Sequence, residues 1–283
     1  TQKEQFTVCS FGGSDLVEAP LVFVGYGIDN PDIHIDEYAN VDVKGKVVII
    51  MRRMPRQDRD DAPFKSHHGS IPIDASLNTK VSRAFGHGAV GVLFVNEPHT
   101  GDSKKQNADR QIGEAKDKLV ATVEQWIEKE FAESFQHNLV RATERIHELK
   151  DIHADLKTDS LMEFGYAGMG KNDDVSIAHI SADVCNQMLQ KSLDTNLREI
   201  EAGIDGDLQS RSAELKGWTV TLETDINLVQ SEVHNVIGVL EGEGPLADET
   251  IVIGAHYDHV GYGGSNSLSP DTKEVHNGAD DNA

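Results

Sequence analysis

Short apolar, β-branched runs bounded by turn residues dominate the N-terminal third of the chain. Pro20–Gly27, Gly45–Met51 and Gly88–Asn96 each hold one. Runs of this length without a polar alternate face predict strands buried on both sides. Lys80–His87 has helical spacing and feeds directly into the third run, a compact helix–strand unit. From Ser103 to Leu161 the character changes. No proline or glycine lies between Glu114 and Phe164, and apolar residues recur every three or four positions, from Ile112, Ala115, Leu119 and Val123 to Leu139, Ala142, Ile146 and Leu149. That spacing predicts one long amphipathic helix, or two joined at an inconspicuous turn. Its stripe is expected to pack on the rest of the fold or on a second copy of the chain, which makes this excursion the candidate surface for a homo-oligomer.

Beyond the glycine-rich Phe164–Gly170 loop, the α/β pattern returns. Ser176–Ile180 reads as a strand, Asp183–Leu193 as a helix capped by Ser181, and Asn196–Ile204 as a further helix. Three more strands are predicted at Trp218–Thr224, Ser231–Leu240 and Ile251–Ile253. The fold class is α/β.

Charge and cysteine content narrow the function classes. The 283 residues carry 26 basic and 48 acidic side chains, a net charge of −22. Such a surface repels nucleic acid and anionic membrane. No apolar run reaches the length of a membrane span. Cys9 and Cys185, with no Cys-x-x-Cys motif, leave a single long-range disulfide and two buried thiols both open. The chain starts at Thr1 without a signal-like stretch and stops at Ala283, so both ends read as incomplete, with any targeting segment outside them.

The candidate chemistry lies near the C-terminus. Ile251-Val-Ile-Gly-Ala-His256-Tyr-Asp258-His259 is an apolar run that ends in His-x-Asp, and His276-Asn-Gly-Ala-Asp280-Asp281-Asn-Ala follows a glycine-rich loop. A strand that delivers an imidazole at its C-terminal end suits a metal site at the edge of an open α/β sheet. Asp258 is placed to accept the other imidazole N–H, and Asp281 offers two oxygens able to bridge two ions. His67-His68 reads as a solvated loop, and His87 and His179, inside apolar segments, as core histidines.

With these motifs in view, Asn235-Val-Ile-Gly-Val-Leu-Glu-Gly, Ile253-Gly-Ala-His-Tyr-Asp-His and His276–Ala283 closely resemble the start of the di-zinc exopeptidase family, which includes bacterial leucyl aminopeptidases and glutamate carboxypeptidase. Gly25-Tyr-Gly27, Val43-Lys-Gly-Lys-Val-Val and Gly88–Asn96 resemble the protease-associated domain that such enzymes often carry. The resemblance implies a β-rich protease-associated domain over residues 1–215, bearing a helical insertion at about 103–161, then the first strands of an α/β zinc-peptidase domain over 216–283. It implies a zinc-dependent exopeptidase, most simply an aminopeptidase, that hydrolyses a peptide or small-protein substrate with a water activated by two zinc ions. His256 would bind one zinc, Asp281 would bridge both, and Asp258 would orient His256. His259 and His276 would line the pocket without binding metal. The general base and remaining ligands fall outside these motifs, so residues 1–283 alone are expected to be inactive. Secretion or a periplasmic location follows by the same likeness. The alternative is a non-catalytic, receptor-like or peptide-binding protein on this scaffold.

Overall fold

A computed structural model describes residues 3–64, 72–128, 134–166, 175–227, 229, 232, 234–256, 259, 261, 262 and 274–276, with side chains described outside 125–128 and 134–136. The chain divides into two compact units, residues 1–228 and 229–283.

The first unit is built on a curled six-stranded sheet. Its strands are β1 (Phe6–Val8), β2 (Asp15–Phe23), β5 (Val47–Met51), β6 (Gly91–Val95), β7 (Ser176–Ile180) and β8 (Ala213–Thr224), in the order β1-β7-β6-β5-β2-β8. A two-stranded ribbon, β3 (Asp29–Asn30) and β4 (Ile35–Asp36), stands apart. The four middle strands β7, β6, β5 and β2 run parallel, and β1 and β8 add antiparallel at the two edges. Every residue of β5, β6 and β7 is buried, which is why their sequences lack a polar face.

Alternate side chains feed two cores. On one face, Phe23, Ile49, Met51, Leu93, Val95 and Ala178 pack against helices α4 (Ala182–Leu193) and α5 (Leu197–Asp207) through Leu189, Leu197 and Ile204. On the other, Val22, Val48, Ile50, Val92, Phe94 and Ile177 meet Val81 and Ala84 of α1 (Leu77–Gly86). The Ser181 hydroxyl accepts the Val184 N–H and starts α4, as its position before the apolar run predicts. Two long helices, α2 (Pro98–Glu128) and α3 (Ser134–Ala154), form the excursion between β6 and β7. They pair with each other as a hairpin, so the two-helix form of the prediction is the one adopted.

Two sequence expectations change here. The segment 218–224, read as the first strand of the second domain, belongs to β8 and pairs with β2 inside the first unit. His87, expected in the core, is exposed; it closes α1, stacks on Tyr38 at 4.2 Å and meets Asp29 at 3.1 Å. Among the described residues no helix is long and apolar enough to cross a membrane. Cys9 and Cys185 are both buried and free, so the disulfide alternative is not the one formed.

Candidate metal centre

In the second unit the described residues 234–243 and 250–256 carry no regular secondary structure, against the predicted strands at 231–240 and 251–253. Val236, Val239, Leu240, Ile251, Val252 and Ile253 are each at least 80% exposed. The physical reason is pairing. A strand needs a neighbour to accept its main-chain bonds, and the described residues of this unit supply none. A turn forms at Gly244–Asp248, where the Ala247 N–H donates to Gly244 and the Glu249 N–H to Leu246. Its Gly-Pro and Asp content makes that turn legible in sequence.

His256 is exposed at the end of the apolar run, and its ring lies 6.0 Å from that of His259. The His276 N–H donates to the Gly261 carbonyl at 2.7 Å, which brings the His276 segment back to the loop that follows His259. Of the expected site residues, Asp258 and Asp281 lie outside the described residues, as do Asp280 and the His67-His68 pair. Among the described residues no group of three or more His, Cys, Asp or Glu side chains is arranged to hold a metal ion.

Family comparisons decide what this segment is. The Peptidase family M28 model matches residues 235–283, which span His256, Asp258 and Asp281, and the PA domain model matches residues 17–124. The chain carries a match to the PA domain followed by a match to the M28 peptidase family. The PA match begins within β2 and runs into α2, so it takes in part of the helical excursion. No curated protein matches the chain.

The PA unit holds polar groups that sequence reasoning did not single out. Glu37 is buried, and its two carboxylate oxygens accept the Tyr26 and Ile28 N–H groups, each at 3.0 Å. It thereby closes the turn made by Gly25 and Gly27, whose φ angles are 53° and 63°. A Cβ at Gly25 would sit 1.8 Å from a Glu37 oxygen, so the glycine is required by space as well as by conformation. Lys80 is fully buried and donates to the Met51 carbonyl at 2.7 Å and to the Arg53 carbonyl. Burial raises the Glu37 carboxyl and lowers the Lys80 ammonium, and each partly offsets the other. Their ordinary-looking sequence surroundings gave no signal.

His179 is the core histidine expected of it. Its Nδ1 accepts the Met162 N–H at 2.7 Å, and burial pushes its pKa down to about 3, so it is held neutral. His99, Ser103 and Asp58 also come together, in a grouping that invites comparison with a nucleophilic triad. The Ser103 hydroxyl and the Asp58 carboxylate both meet the same Nε2, each at 3.1 Å. A base that must be oriented through one ring nitrogen and deprotonate through the other cannot work this way. The cluster instead anchors the start of α2. Glu201 of α5 takes part by accepting the His99 N–H, at 3.1 Å to one oxygen and 3.2 Å to the other.

Proposed function

We propose that the protein is a zinc-dependent exopeptidase acting on the amino terminus of peptides. The observation that carries this reading is the coincidence of the M28 match with the His-x-Asp and Asp-Asp motifs at His256, Asp258 and Asp281. The donor set fits zinc in kind, because imidazole nitrogen and carboxylate oxygen are its usual protein ligands. In number it supplies two of the ligands a catalytic ion needs. His256 would hold one ion and Asp281 would bridge a pair. Asp258 would accept the second imidazole N–H of His256, fixing the tautomer that leaves the other nitrogen free to ligate. Bound zinc supplies an acidified water and a polarised carbonyl, the chemistry that amide hydrolysis at neutral pH requires. Residues 1–283 by themselves therefore bind the ions weakly and turn over no substrate. An exported location accords with this reading and with the acidic surface.

Zinc content and aminopeptidase turnover of the native protein, beside His256→Ala and Asp281→Ala, test the assignment. Expected are about two ions per chain in the wild type, with both variants depleted and inactive. A metal-replete wild type that retains no zinc refutes the enzyme reading and favours the receptor-like alternative.

A further inference from the structure

The α2–α3 hairpin leaves its own apolar stripe half covered. None of the described α2 side chains is buried, although Ile112, Leu119 and Val123 recur at helical spacing along it. On α3, Ile146 and Leu149 are buried against α2 while Ile152 is 57% exposed. Two helices side by side cover one flank of such a stripe; bundles cover the other flank with further helices. α2 is attached at its base, where Arg198 of α5 grips Asp102 through two bonds of 2.6 and 3.0 Å.

A groove of roughly 630 Å³ runs between the two helices. Ala115 and Ala142 lie in it, and its charged lining mixes signs, with Arg141 and Arg145 beside Glu144 and Glu148. Charge identifies the occupant. Residues 98–154 carry nine Lys and Arg against eleven Asp and Glu, a net −2, which leaves −20 of the total −22 on the remainder of the chain. A contact between two copies made elsewhere on the chain brings together surface that is acidic on average. Through the hairpin they meet at a near-neutral face. In a two-fold contact, where residue i of one copy meets residue j of the other and j meets i, mixed signs are self-complementary.

Size is adequate as well. The 21 residues of α3 span about 30 Å, and two packed helices are about 20 Å across, which offers a face of about 600 Å² per copy before side-chain relief is counted. Standard interfaces bury about 800 Å² per partner. We propose that the hairpin is the self-association surface of this protein, and that hairpins from two copies pack groove to groove as a four-helix bundle. The proposal does not depend on the metal centre.

Sedimentation velocity of the full chain at micromolar concentration tests it. The wild type is expected to sediment as a dimer. Arg141→Glu with Arg145→Glu, at two exposed positions, leaves Lys118 as the basic side chain among the groove's lining residues and is expected to give monomer with unchanged helicity by circular dichroism. Adding Glu144→Arg and Glu148→Arg restores opposite signs across the two-fold axis and is expected to restore the dimer. A monomeric wild type overturns the proposal, as does a dimer indifferent to the double reversal. So does a quadruple variant that stays monomeric while the hairpin remains helical.

Discussion

Replacing Glu37 by glutamine probes the most demanding polar site in the PA domain. The carboxylate is 1% exposed and holds two backbone amides, Tyr26 and Ile28, one on each oxygen. Glutamine keeps one acceptor and turns an NH₂ group toward the second amide, donor against donor. One charge-assisted bond is lost, about 1.5–3 kcal/mol, and a buried N–H is left without a partner, about 1–3 kcal/mol. The negative charge that supports a protonated Lys80 disappears at the same time. Together these losses amount to about 2.5–6 kcal/mol, against a total domain stability of about 5–15 kcal/mol. Urea unfolding followed by far-UV circular dichroism reads this as a lower midpoint at unchanged slope. Lys80→Met should be less than additive with it, since both remove parts of one network. A loss below about 1 kcal/mol for Glu37→Gln would refute the reasoning, because it would mean that neither the charge nor the second acceptor matters at this turn.

Two further outcomes follow from the same unit. His179 has a folded pKa of about 3 against an ordinary value of 6.5, so its contribution is present above 6.5 and is lost as pH falls toward 3; integrated, that is on the order of 5 kcal/mol. His179→Asn keeps an acceptor for the Met162 N–H without the titration, and should be less stable at pH 8 yet show a flatter pH dependence below 6.5, checked by urea midpoints across that range. Ser181→Ala removes the hydroxyl that accepts the Val184 N–H and should lower stability by about 1 kcal/mol in the same assay.

How much was legible depended on whether the physical cause was local. β5, β6 and β7 could be read because strands buried on both faces write themselves as continuous apolar runs. The Ser181 cap could be read because the hydroxyl acts three residues away. β1 could not, since Phe6–Val8 is too short to show a period and exists through its pairing with β7, far along the chain. Glu37 follows Asp36 in a polar stretch that resembles a solvated turn; only the fold folds Gly25–Gly27 around it. The hairpin's helical stripe was plain, while the residues between its helices contain no glycine or proline to mark the break. At the candidate metal centre the residue types and their spacing were legible, and the M28 match covers the residues 235–283 that hold them.

The apolar runs at 235–240 and 251–253 show why motif and geometry separate. Consecutive β-branched residues record a demand for pairing, and the demand is visible whether or not a neighbour meets it. A side chain at the end of such a run, where His256 stands, acquires a fixed position only when the run is locked into a ladder. On the proposed assignment, zinc affinity at His256 and Asp281 and strand formation at 251–253 would be linked: whatever orders the strand lowers the entropy lost on binding the ion, and the ion in turn favours the ordered strand. By that linkage, added zinc should slow amide hydrogen exchange across Ile251–Ala255 wherever the remaining ligands are present, and His256→Ala should abolish the effect. The first unit needs no such help, because its strands already pair with one another within residues 1–228.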